Sequence, residues 1–116
     1  MINNLKHDFI IKSLHPIQIL ENFLIVLHEK FVGEFTIEHE GDFYEINIRS
    51  LEAIPSICIR ILSKRTFDSK EQKFVWASEI NIEIMSRSAS NLLKEILEAF
   101  QQAIRKAKTH SQILEQ

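Results

Sequence analysis

Residues 73–84 read KFVWASEINIEI, and the alternation in this stretch decides the fold class. Five apolar side chains share one parity: Phe74, Trp76, Ile80, Ile82 and Ile84. The charged and amide side chains share the other: Lys73, Glu79, Asn81 and Glu83. Successive side chains of a strand point to opposite faces, so the pattern predicts a strand with one dry face and one solvated face. We expect Phe74 and Trp76 in the middle of the core.

Two more alternating segments precede this strand and predict a hairpin. Residues 34–38 and 44–49 each alternate apolar and polar side chains, and the turn signal Glu40-Gly41-Asp42 separates them. Residues 57–61 alternate in the same way, and the polar segment 67–72 joins them to residues 73–84. The four predicted strands therefore form two antiparallel hairpins.

Two helices with broad apolar faces flank the predicted strands. Pro16 begins the first, and apolar residues recur at helical spacing from 92 to 107 in the second. The first helix carries an additional stripe, Ile19, Phe23 and Val26, which exceeds what a helix lying on a sheet has to bury. Three explanations stay open for this stripe: packing against the second helix, contact with another copy of the chain, or a groove for a partner.

The predicted fold is α+β, a two-layer sandwich in the order α-β-β-β-β-α. A four-stranded antiparallel sheet carries the N-terminal and C-terminal helices on one face. We expect one domain over residues 1–116, with an irregular lead-in at 1–15 and a frayed tail at 109–116. Residues 7–14 fit either a short edge strand or a helical turn. The strand 73–84 is expected at a sheet edge. We also expect a homodimer that forms through this edge, through the additional stripe, or through both.

Composition indicates a cytoplasmic globular protein. The 116 residues carry a net charge of −2 and are 26% charged. Cys58 is the only cysteine, so an internal disulfide is excluded and a reducing compartment is expected. The longest apolar stretch, 23–27, is too short to cross a bilayer, and residues 1–16 do not read as a signal peptide.

The sequence offers little to catalysis or cofactor binding, so we expect no cofactor, no catalytic residue and no metal site. The histidines do not share a metal-ligand spacing with one another or with Cys58: His7, His15, His28, His39 and His110. Gly33 and Gly41 are the only glycines, which is too few for a phosphate-binding loop. Cys58 has Arg60 nearby but no base that the sequence identifies.

The polar face of the predicted sheet is the expected partner-binding surface. Its candidate residues are Glu34, Glu38, Glu45, Arg49, Arg60, Lys64, Glu79 and Glu83. In size and composition the chain is similar to the immunity proteins that neutralise bacterial toxins. Secretion chaperones are similar in size, but they interrupt their strands with a middle helix that is not expected here. We therefore expect a non-catalytic module that binds another protein, such as a basic toxin or nuclease.

Two alternative functions remain. A small ligand, or an enzyme's substrate, would occupy a pocket between the first helix and the sheet, lined by Phe23, Tyr44 and Trp76. A nucleic acid would bind the tip of the second hairpin, through Arg60, Lys64, Arg65, Phe67 and Lys70. Binding of nucleic acid is the weaker alternative, since acidic residues offset these cations.

Overall fold

The computed structural model describes residues 2–12, 14–31, 33–49 and 56–115, with side chains to Lys108. The elements follow the order β1 (Asn3–Lys12), α1 (Pro16–Lys30), β2 (Glu34–Glu40), β3 (Phe43–Arg49), β4 (Ser56–Asp68), β5 (Lys73–Ser86) and α2 (Ala89–Glu115). The α+β class and the two helices are confirmed. Helix α2 continues through the segment expected to fray. The sequence also predicts a connection over residues 51–56, because Pro55 interrupts the strand pattern there; residues 51–55 lie outside the described residues, and Ser56 begins β4.

Within the described residues the sheet has five antiparallel strands, not the expected four, in the order β1-β5-β4-β3-β2. Strand β5 lies between β1 and β4. The prediction that residues 73–84 lie at a sheet edge, open to a homodimer contact, is therefore wrong. The edge that β5 would have exposed is covered by a strand from the N-terminal segment.

Strand β1 replaces the expected irregular lead-in and decides the ambiguity over residues 7–14 in favour of a strand that ends at Lys12. Its odd-numbered residues, such as Phe9 and Ile11, face the core. The alternation is hard to read in the sequence because His7 lies on the core side and Ile10, on the other side, is 62% exposed.

The core lies between the sheet and the two helices. Isoleucines pair across the centre of the sheet on the side that the helices cover: Ile57–Ile84, Ile59–Ile82 and Ile61–Ile80. Above them Phe23 of α1 stacks on Phe100 of α2, with 3.6 Å between ring centroids. Burial of these branched and aromatic side chains is the main stabilisation of such a domain.

The additional stripe of α1 belongs to this core. Ile19, Phe23 and Val26 are fully buried within the monomer. Internal packing is therefore the correct one of the three explanations, and the proposals of a dimer contact or a partner groove at these side chains are wrong. The stripe looked excessive because α1 must bury one side on the sheet and another against α2.

The hairpin of β4 and β5 extends beyond the rest of the sheet. Strand β3 ends opposite Leu62, and β1 reaches only Ala77. Past the buried pair of Ser63 and Ser78, whose hydroxyls lie 2.8 Å apart, the helix-side ladder continues with Arg65–Trp76 and Phe67–Phe74.

Phe74 and Trp76 therefore keep the predicted parity but not the predicted place in the middle of the core. Phe74 is 65% exposed, and Trp76 is half-buried. Trp76 packs edge-on against His15, at 5.1 Å between ring centroids, and the guanidinium of Arg65 lies 5.6 Å from its ring. Alternation fixes the face of a side chain, but the length of the neighbouring strands decides whether that face is covered.

Candidate binding face

The sheet surface opposite the helices, called the polar face below, carries the predicted partner-binding residues. In antiparallel pairs, residues directly opposite each other share a face. The register aligns Glu38, Glu45, Arg60, Asn81 and Asp8 in one row across the strands. The remaining predicted residues lie in neighbouring rows of the same face: Glu34, Arg49, Lys64, Glu79 and Glu83. Their role in binding stays a prediction.

The centre of the polar face is an ion cluster around Arg60. Its Nε lies 3.4 Å from Oε2 of Glu45, and its Nη1 lies 3.2 Å from Oε1 of Glu83. Lys6 of β1 approaches the same Glu83 oxygen at 3.9 Å. The side-chain amide of Asn47 donates to Oε1 of Glu45 at 3.0 Å. These central charges largely satisfy one another, so they offer a partner less unpaired charge than their number indicates.

Glu45 remains a carboxylate at neutral pH. The hydrogen bond from Asn47 and the charge and hydrogen bond of Arg60 lower the pKa of Glu45 below its ordinary value of 4.5, although desolvation acts in the opposite direction. Such a group is a fixed acceptor for a cation and a poor proton donor.

Cys58 is half-buried beside this cluster. Desolvation raises the pKa of its thiol above the ordinary 9.0, and the positive charge of Arg60 offsets only part of that rise. A thiol in this state is protonated at neutral pH and is a weak nucleophile. The arrangement therefore favours a passive Cys58.

Strand β2 carries an acidic row, defined here as Glu34, Glu38 and Glu40. All three side chains are exposed on the polar face of an edge strand. Among the described residues, no cation lies within 4.0 Å of their carboxylates. The row ends at a tight turn in which Gly41 has φ +59°, a conformation that glycine adopts without strain. Arg49 lies directly opposite Glu34 on β3, but no described cation is within ion-pair distance of the three carboxylates, so the acidic row presents unpaired negative charge on the polar face.

Apolar side chains also lie on the polar face, and the sequence pattern did not identify them as part of a site. The register places Ile10, Glu79, Leu62 and Phe43 in one row. Ile10 and Leu62 are exposed, and Phe43 is half-buried. Leu62 was the one residue whose position in the sequence indicated an apolar side chain on the polar face, because it breaks the alternation of β4 there.

The rings expected to line a ligand pocket have separate neighbours. Phe23 stacks on Phe100, and the ring centroids of Tyr44 and His39 lie 5.2 Å apart. Trp76 packs against His15 at the base of the projecting hairpin. A groove of about 360 Å³ lies elsewhere, between β1 and α2.

The cations expected to bind nucleic acid do not form one surface. Arg60 lies in the central ion cluster, and Lys64 lies on the polar face. Arg65 and Phe67 belong to the helix-side ladder, and Lys70 lies in the turn. The structure thus separates these five residues between the two faces and the tip of the hairpin.

The histidines with described side chains each contact an aromatic ring: His7 with Phe9, His15 with Trp76, His28 with Phe35, and His39 with Tyr44. No group of three or more His, Cys, Asp or Glu side chains in the described part of the chain is placed to hold a metal ion. Nor is any helix there long and apolar enough to cross a membrane.

Comparison with known proteins gives little information. No protein-family model and no curated protein matches the sequence. Among solved structures, the chain is similar to an uncharacterised protein from Rhizobium leguminosarum, with 4% identity and a TM-score of 0.34. The match covers 91% of this chain and 99% of that one. A likeness at this level supports no argument about function.

Proposed function

We propose that this chain is a non-catalytic, cytoplasmic protein-binding module that neutralises another protein, as an immunity protein neutralises a bacterial toxin. The observation that carries the proposal is the acidic row on β2. Three exposed carboxylates without a described cationic partner stand beside a strand edge that is unpaired in the described part of the chain.

The acidic row favours a partner with a basic surface. Uncompensated charge of one sign attracts the opposite sign over several ångströms and speeds diffusional encounter. A nuclease toxin suits this requirement, because its substrate-binding surface is basic. Covering that surface would block access of nucleic acid without any chemistry by the inhibitor.

The free edge of β2 adds a second recognition element. An edge strand presents unpaired backbone groups to which an extended segment of a partner can add. Ile37, exposed on the other side of the strand, offers an apolar contact at the same edge. We propose that a basic strand or loop of the partner docks along β2.

Affinity capture from the native host tests this proposal with two triple variants. One variant changes Glu34, Glu38 and Glu40 to Gln. The matched control changes Glu29, Glu95 and Glu98, three exposed helix residues, to Gln and removes the same total charge. The expected result is a basic protein retained by the wild type and the control and lost with the β2 variant. Equal retention by both variants contradicts the proposed site.

A further inference from the structure

The outer edge of β1 is a second free strand edge in the described part of the chain. β1 pairs with β5 from Asn3 to Lys12 and lies at the end of the strand order. A strand of ten residues without proline leaves a long row of backbone groups open to pairing. Ile10, largely exposed on this strand, adds apolar surface. β1 is therefore able to pair with a strand from outside the monomer.

An apolar strip of α2 lies beside the same edge. Leu97 and Ile104 line the 360 Å³ groove between α2 and β1, and Leu97 also lines a groove of about 390 Å³ along α2 with Leu93. All three side chains are only half-buried in the monomer. Sheet and helix layers are thus both incompletely covered at one edge, as expected where a second two-layer unit continues them.

In one long antiparallel register, two copies of β1 place opposite charges next to each other. A two-fold axis perpendicular to the sheet keeps equivalent faces together, so only residues of the same parity lie opposite each other. With His7 on the axis, Lys6 of each copy lies opposite Asp8 of the other. The pairing then extends over residues 3–11 of both strands. Lys6 is 68% exposed, and its 3.9 Å contact with Glu83 is weak enough to leave it available.

The neighbouring registers are less favourable. An axis at Lys6 or at Asp8 places like charges directly opposite each other, which destabilises strand pairing. An axis at Phe9 places Lys6 opposite Lys12. An axis at Ile10 matches Asp8 with Lys12, but it pairs only residues 8–12.

Strand β2 does not share this self-complementarity. An axis at Thr36 places Glu34 opposite Glu38 of the second copy, and an axis at Ile37 places Glu34 opposite Glu40. Like charges therefore disfavour self-pairing at β2, whereas β1 allows it.

We propose that a second copy of this chain pairs antiparallel along β1, about a two-fold axis at His7. The two sheets become continuous, and the two α2 helices run antiparallel on the same side of the joined sheet. Leu5 of each copy lies opposite Phe9 of the other, next to the groove between β1 and α2. The acidic row of each copy stays free at the far edge.

A charge exchange measured by sedimentation tests the proposal. At micromolar concentration the wild type is expected to sediment as twice the 13.6 kDa chain. Lys6→Asp alone and Asp8→Lys alone each create two repulsive pairs and are expected to raise the dimer Kd by about tenfold or more. The double variant restores opposite-charge pairs and is expected to recover the dimer. Lys70→Asp, at the hairpin tip, serves as the control.

Cross-linking tests the register separately. In a Cys58→Ser background, a short bifunctional thiol-reactive cross-linker is expected to join two chains that carry His7→Cys. It is not expected to join two chains that carry Lys70→Cys. A monomeric wild type, or a dimer that Lys6→Asp leaves intact, would overturn the proposal. Two further results would overturn it by showing a different occupant of this edge. One is protection of the β1 amides in a monomer only when an extended peptide from another protein is added. The other is uptake of an apolar dye by the groove of a monomer.

Discussion

Replacing Phe23 with Ala tests where the core of this protein lies. Phe23 is fully buried and stacks on Phe100, with ring planes 17° apart. Removing such a ring costs about 3–5 kcal/mol, because the transfer free energy is lost and a cavity remains between α1 and α2. A domain of this size has a total stability of about 6–17 kcal/mol, so the variant would lose a large part of it. The corresponding fall in Tm is about 10–20 °C.

The matched control is Phe74→Ala, which removes the same ring from the projecting hairpin. Phe74 is mostly exposed, and its ring contacts Phe67 edge-on, with 5.4 Å between centroids. We expect a loss of less than about 1 kcal/mol, the size of a single exposed aromatic pair. Urea unfolding followed by far-ultraviolet circular dichroism measures both variants, and unchanged m-values would show that the unfolded state is not the cause. Similar losses for the two variants would refute the assignment of the core to the α1–α2 side.

The remaining predictions concern pH, thiol reactivity and helix capping. Because the Glu45 pKa is lowered in the folded state, its contribution to stability is present above about pH 4.5 and is lost as the pH falls. Urea titrations from pH 5 to about pH 3 should therefore show a shallower loss for Glu45→Gln than for the wild type. Since burial raises the Cys58 pKa, iodoacetamide at about pH 8 should alkylate the native protein more slowly than the urea-unfolded chain, and equal rates would contradict a shielded thiol. The imidazole Nδ1 of His15 accepts the N–H of Ile17 at 3.2 Å, so His15→Ala should cost about 1 kcal/mol, and His15→Asn should recover most of it.

The sequence was sufficient to predict which face of the sheet the side chains of each predicted strand lie on. The parity of residues 73–84 holds along β5, and Ile80, Ile82 and Ile84 are buried as their alternation predicts. Apart from Arg65, the charged residues of β2, β3, β4 and β5 lie together on the polar face because antiparallel pairing preserves parity. Local periodicity suffices for such predictions, since side-chain direction depends on the backbone alone.

The number of strands and the order in which they pair could not be predicted from local periodicity. The pattern of β1 was hidden by His7 on the core side and Ile10 on the polar side. Without β1, the strand 73–84 had no partner on one side, and its assignment to an edge followed. Strand order depends on contacts between distant segments, which local alternation does not encode.

Most residues of the candidate site were predictable from the sequence, but the ion pairs among them were not. The sequence identified eight charged residues of the polar face, but it missed Lys6, Asp8 and Glu40, and it did not indicate which carboxylates Arg60 would pair with. That pairing follows from the register of three strands. Among the described residues it leaves the three carboxylates of the acidic row without an ion pair, which the positions of the charged residues in the sequence do not indicate.

Hydrogen–deuterium exchange of the captured complex tests the central claim most directly. If a basic partner adds to the acidic edge, amides in residues 34–40 should become protected on binding, and those of α1 should exchange as in the free protein. Addition of salt should weaken the complex and remove the protection together, because opposite charges drive the encounter. Protection confined to the helices, with residues 34–40 unchanged, would contradict the account.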